Sequence, residues 1–117
     1  MRRVDPSDFY EGPTVVETTS EAMLRKRVVE LAHAAGWRVF SLPIAKQSRP
    51  VKDAIGYPDL TLARHRSVLW LELKTDKGRV SEVQSAWLDA LPNAHIVTPA
   101  DLNNGRLVRL LARGTLG

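Results

Sequence analysis

Two carboxylates and an ammonium stand at a spacing that can do chemistry. Asp59 closes the run Gly56-Tyr57-Pro58-Asp59, and Glu72-Leu73-Lys74 follows thirteen positions later. The segment Val68 to Lys74 is rich in branched and aromatic residues and reads as a β-strand. Side chains alternate faces along a strand, so Glu72 and Lys74 share one face while Leu69, Leu71 and Leu73 share the other. Asp59 to Ala63 reads as a second strand. The four residues Arg64 to Ser67 are a short enough connection to close an antiparallel hairpin. That pairing predicts Asp59 somewhat beyond Glu72, near the same end of the hairpin. Two carboxylates so placed can share a hard cation, Mg²⁺ or Mn²⁺, for which oxygen ligands are suited. Such a cation polarises a phosphate oxygen and lowers the pKa of an attacking water. Lys74 would orient that water or neutralise charge growing in the transition state. Pro58 restricts the chain's direction into Asp59, and Gly56 permits a tight turn before it.

Each of these residues also has a plain reading. Pro-Asp is a common turn pair, and Glu72 with Lys74 could form a solvated strand face. Their convergence on two hydrophobic strands favours a site. Glu21 fits a capping box as Thr18-x-x-Glu21. It also precedes Leu24 and Val28 on the inward face of a helix, where a carboxylate without a partner is costly. Gln84 fits a second capping box, Ser81-x-x-Gln84. It shares a helix face with Val80, Trp87, Leu88 and Leu91, from which an amide can orient a water or a phosphate oxygen. The two roles of Gln84 do not exclude each other.

These side chains must be positioned by a small fold. The 117 residues favour one domain, and a hydrophobic content of 44% supplies one modest core. Residues 1–17, with Pro6, Gly12 and Pro13, read as a loose N-terminal arm, and residues 18–117 as a single domain. A helix is predicted from Thr18–Ser20 to Gly36, with Leu24, Val28, Leu31 and Ala35 as its apolar stripe. A strand over Trp37 to Leu42 follows, then a long connection from Pro43 to Ile55, then the hairpin. A helix from Ser81 to Leu91, a strand from His95 to Thr98 and a last helix from Arg106 to Ala112 complete the chain. The order α-β-β-β-α-β-α predicts an α/β fold, a central mixed β-sheet flanked by helices.

A net charge of +4 favours an anionic partner. From Leu31 to Lys52 there is no acid, and Lys46, Arg49 and Lys52 fall in the loop leading to Gly56, where they could hold phosphates flanking a cut. Lys77 and Arg79, in the turn after Lys74, and Tyr57, beside Pro58, are further candidate nucleic-acid contacts. Tyr57 could equally close its loop. Arg106, Arg109 and Arg113 read as the wet side of an amphipathic helix. His33, His65 and His95 do not stand at metal-ligand spacing. Trp37, Trp70 and Trp87 read as core, with Trp70 on the face of Glu72 and Lys74. There is no Cys, which excludes disulfides and thiolate metal sites. No apolar run approaches a membrane span, and the acidic and proline residues after Arg3 do not form a secretory signal. A cytoplasmic setting is compatible with both.

Glu21 in a helix, Gly56-Tyr57-Pro58-Asp59-Leu60 opening a hairpin, Leu71-Glu72-Leu73-Lys74-Thr75 before a Gly turn, and Ser81-x-x-Gln84 starting a helix occur in that order. This order resembles the VRR-NUC (virus-type replication-repair nuclease) family of the PD-(D/E)xK superfamily, over about residues 20–100. The resemblance implies a restriction-endonuclease-like core. It implies Mg²⁺ or Mn²⁺ bound by Asp59, Glu72 and Glu21 with the backbone carbonyl of Leu73, and Lys74 and Gln84 as site residues. It further implies a metal-dependent DNA endonuclease that acts on branched DNA in the manner of a Holliday-junction resolvase. Phage or prophage DNA processing or DNA repair, in a bacterial or phage-infected cytoplasm, would be its setting. A two-fold homodimer matches a junction with two equivalent strands. So small a chain leaves little room for a sequence-reading domain, which favours structure-selective cutting. Two alternatives remain open: a nucleic-acid-binding module without turnover, and a nuclease subunit active only with a helicase or another replication partner. RNA is an alternative substrate, since no motif reads the 2′-hydroxyl.

Overall fold

The computed structural model describes residues 19–41, 55–75 and 78–115. The N-terminal arm, Thr18, Lys46, Arg49, Lys52 and Lys77 lie outside the described residues. The elements are α1 (Thr19–Ala34), β1 (Arg38–Ser41), β2 (Leu60–Arg64), β3 (Ser67–Leu73), α2 (Glu82–Ala90), β4 (Ala94–Val97), α3 (Pro99–Asn103) and α4 (Arg106–Arg113). The protein is α/β, with a mixed sheet flanked by helices. The strands lie in sequence order, β1-β2-β3-β4. The first three pair antiparallel, and β4 joins β3 in parallel through α2. The short helix α3 was not anticipated, so the order is α-β-β-β-α-β-α-α rather than the one expected.

The hairpin is tighter than its sequence suggests. Arg64 pairs with Ser67, leaving only His65 and Arg66 in the turn. Both have positive φ, 49° and 68°, the signature of a type I′ turn, whose twist matches that of the flanking strands. Asn-Gly usually marks such a turn. His-Arg does not, which is why a four-residue connection was expected in its place.

The leucines of the hairpin obey the period of two. Leu60 lies across from Leu71 and Leu62 across from Leu69, and all four are fully buried. Leu73 lies beside Val97 of β4. This face meets Leu24, Val28 and Ala32 of α1 and Leu107, Leu110 and Leu111 of α4 in one core. The α1 stripe runs through Ala32, while the expected Leu31 and Ala35 flank it, partly buried. Gly36, at φ +89°, ends the helix as expected. Trp37 N–H donates to Ala32 O and Gly36 N–H to His33 O, the paired bonds of a Schellman motif.

Trp37 joins the two ends of the domain. Its ring is 2% exposed, and Nε1 donates to the Leu111 carbonyl at 2.9 Å. The Arg64 guanidinium stacks 4.4 Å from the ring centroid and donates to the carbonyls of Ala35 and Ala112. Replacing Trp37 by Phe removes the donor and leaves the buried Leu111 carbonyl without it. The expected loss is about 2 kcal/mol, read as a lower urea midpoint at unchanged slope.

Candidate active site

The register of β2 and β3 builds the site. Leu60 pairs with Leu71, and Asp59, just before β2, lies beside Glu72 at this end of the hairpin, close enough for its charge to act on the Glu72 carboxyl. Asp59 Oδ2 accepts the Leu73 backbone N–H at 2.9 Å, which ties the two strand ends together. Glu72 is 3% exposed. Lys74, two residues on, places Nζ 3.4 Å from Glu72 Oε2.

Gln84 completes the group. Its Nε2 donates to Glu72 Oε2 at 2.9 Å. Its Oε1 accepts from Lys74 Nζ at 3.0 Å and from Ser81 N–H at 2.9 Å. Gln84 N–H in turn donates to Ser81 Oγ at 3.1 Å. An ammonium and a peptide N–H can only donate, so Lys74 and Ser81 dictate that the amide oxygen faces them and the amide nitrogen faces Glu72. The capping reading of Gln84 holds, and the same amide also bridges Lys74 to Glu72. A close approach makes this possible. Gly56 lies at φ +86°, and a Cβ there would meet the Val83 carbonyl carbon at 2.9 Å and the Gln84 nitrogen at 3.0 Å. The Gly56 backbone thus packs on the first turn of α2. Gly78 similarly borders the Lys74 stem, where a Cβ would stand 3.0 Å from Cδ.

Burial and the facing charge of Asp59 push the Glu72 carboxyl from its ordinary value of 4.5 up to about 7, against the pull of Lys74. Two adjacent oxygen-donor carboxylates, of which Glu72 is buried and reluctant to ionise, suit a divalent cation, which would relieve their repulsion. The chemistry of the donor set thus fits Mg²⁺ or Mn²⁺. Among the described residues, no three Asp, Glu or His side chains gather closely enough to hold a metal. Glu21, in the first turn of α1, is half-buried and does not form a three-carboxylate cluster with Asp59 and Glu72.

Comparison with protein families, with curated proteins and with solved structures found no match to this chain. The site is therefore read from its own geometry.

That geometry brings together Asp59, Glu72, Lys74 and Gln84 of the expected residues. Tyr57 turns inward. Its hydroxyl accepts from Trp70 Nε1 at 2.7 Å and lies 3.3 Å from Thr61 Oγ1, and its ring meets Trp87 edge-on at 4.9 Å. Tyr57 thus closes its loop, and Trp87 Nε1 pins the same loop at the Ile55 carbonyl. Arg79 is exposed beside α2. Arg106 is a structural group and not merely a wet helix face, since it pairs with the buried Asp101 at 3.1 Å. His95 lies against Asn93. One residue escaped the sequence reading: Arg25 stands 3.5 Å from Asp59 Oδ1. The available signal was its spacing, one helical turn after Glu21 on the inward face.

Two outcomes follow. In metal-free protein the folded state keeps a proton on Glu72 between about pH 4.5 and 7 that the unfolded chain has lost. Its contribution to stability is therefore present below that window and lost as pH rises through it. His95, lowered by burial and by Arg106, acts in the opposite sense, so wild type alone shows the two mixed. Glu72→Gln should remove the falling component, giving a profile that rises relative to wild type between pH 5 and 8 in urea titrations with EDTA. Parallel profiles would show an unperturbed carboxyl. Gly56→Ala combines an unfavourable positive φ with a backbone clash. It should cost about 1–3 kcal/mol in the same assay and disturb the amide signal of Gln84 in NMR spectra.

Proposed function

We propose that the chain is a metal-dependent nuclease of the VRR-NUC type, with a PD-(D/E)xK core, which hydrolyses DNA phosphodiester bonds. The observation that carries this reading is the juxtaposition of Asp59 and Glu72 across the hairpin, with Lys74 and Gln84 bonded at Glu72 Oε2. Asp59 and Glu72, with the Leu73 carbonyl, would hold Mg²⁺ or Mn²⁺; Glu21, which does not cluster with them, is left out of the ligand set. The bound cation would supply charge neutralisation at the phosphate and a water of lowered pKa. Lys74 would present its ammonium to the attacking water or to the oxygens that gain charge. Gln84 would fix the direction of Lys74 and limit its wandering. The net charge of +4 supports an anionic substrate. Branched DNA cut by a homodimer, in phage or prophage DNA processing, is what the family resemblance implies for the substrate.

One observation favours a second reading. Lys74, Gln84 and Glu72 satisfy one another in a closed set of bonds, as they would in a binding module without turnover or in a subunit completed by a helicase.

A labelled panel of four-way junction, flap, duplex and single strand, with Mn²⁺, Mg²⁺ or EDTA, separates the two. Nuclease action predicts cuts that EDTA abolishes and that Lys74→Ala lowers by roughly 100-fold or more. Paired symmetric cuts in the junction would mark the dimer. Tight metal-independent binding without any cut would favour the module.

A further inference from the structure

The carboxylate pair has a cationic neighbour outside the motif. Arg25, in the second turn of α1, donates from Nη1 to Ser41 Oγ at 2.8 Å and brings Nη2 to 3.5 Å from Asp59 Oδ1. Both side chains are largely shielded, at 20% and 29% exposure. Oδ2 of Asp59 is already taken by the Leu73 N–H. Oδ1 is therefore the oxygen that Arg25 and a divalent cation would contend for. The Arg25–Asp59 contact is looser than the bidentate fork that arginine forms with a carboxylate at full strength. The firmer bond goes instead to Ser41, at the end of the edge strand β1. Arg25 is thus held at this end of the sheet by a neutral hydroxyl, independently of Asp59.

We propose that Arg25 is a positioning residue that acts at Asp59. It neutralises Asp59 while no divalent cation is bound, and it competes with the cation for Oδ1. When displaced it stays tethered through Ser41 and offers its guanidinium to a phosphate oxygen of the nucleic-acid backbone. The guanidinium stays charged at all relevant pH, and its planar set of N–H donors matches phosphate. The same side chain would then couple metal occupancy to substrate binding. This inference rests on the nuclease reading above.

The test measures binding rather than turnover. Mn²⁺ is titrated calorimetrically into DNA-free wild type, Arg25→Gln, Ser41→Ala and Asp59→Asn. Affinity for a four-way junction is then measured in Ca²⁺ over a range of salt. Arg25→Gln should bind Mn²⁺ roughly three- to tenfold more tightly, as expected on removing a partly shielded competing charge. It should bind the junction roughly three- to tenfold more weakly, with the salt slope reduced by about one. Ser41→Ala, at an exposed strand position, should shift both constants in the same directions by less, and it carries the test if Arg25→Gln does not fold. Unchanged or weaker Mn²⁺ binding in both variants overturns the competition. Unchanged junction affinity in both overturns the phosphate contact. Asp59→Asn is the separate control: if Mn²⁺ binding survives it, the nuclease reading itself falls, whereas loss of binding there with no gain in Arg25→Gln removes only the role of Arg25.

Discussion

The register between β2 and β3 is the constraint on which the rest depends. A slip of one residue would turn Leu60 and Leu62 away from Leu71 and Leu69 and toward the opposite face. It would also move Asp59 out of line with Glu72. The hydrophobic face and the polar site are therefore specified together: burying four leucines correctly is the same event as facing two carboxylates. The two-residue turn at His65 and Arg66 locks that choice, because both residues take the positive φ that a tight hairpin of the right twist demands.

Against that frame of leucines, Glu72 is an electrostatic burden. A carboxylate with 3% exposure is unfavourable unless it is bonded, paired or protonated. This fold uses all three means. Gln84 and Lys74 supply bonds to one oxygen, and the proton affinity of Glu72 rises to about 7. The bonds require α2 to start close to the hairpin, which the bare backbone of Gly56 allows. They also require Gln84 to use its amide twice, once for its own helix end and once for the site. A cluster held so tightly is pre-organised, since its members are already collected in the folded chain.

Much of the fold could be read along the chain. Strict alternation in Leu69-Trp70-Leu71-Glu72-Leu73 marked β3 and its two faces. Gly36 marked the end of α1, and Ser81 with Gln84 marked the start of α2. These are local signals, set by side-chain period and by unsatisfied helix ends. The length of the hairpin turn was not legible, because His-Arg carries none of the usual preference for positive φ. Nor was α3, a single turn in which the buried Asp101 accepts from the Thr98 backbone and faces Arg106. Its stability comes from packing and capping and not from helical periodicity.

The site divides in the same way. Residue type and spacing by themselves determined which side chains could act, since Asp59, Glu72, Lys74 and Gln84 belong to elements with clear local patterns. Only the tertiary structure decided which oxygen meets which donor. Asp59 takes the Leu73 N–H beside Glu72, Tyr57 turns inward to Trp70, and Arg25 reaches Asp59 across 34 positions of chain. Those contacts depend on how α1 and α2 seat against the sheet, and that seating is settled by packing the whole apolar core. Local pattern gives each residue its face, but only the closed core brings separate faces within hydrogen-bonding distance.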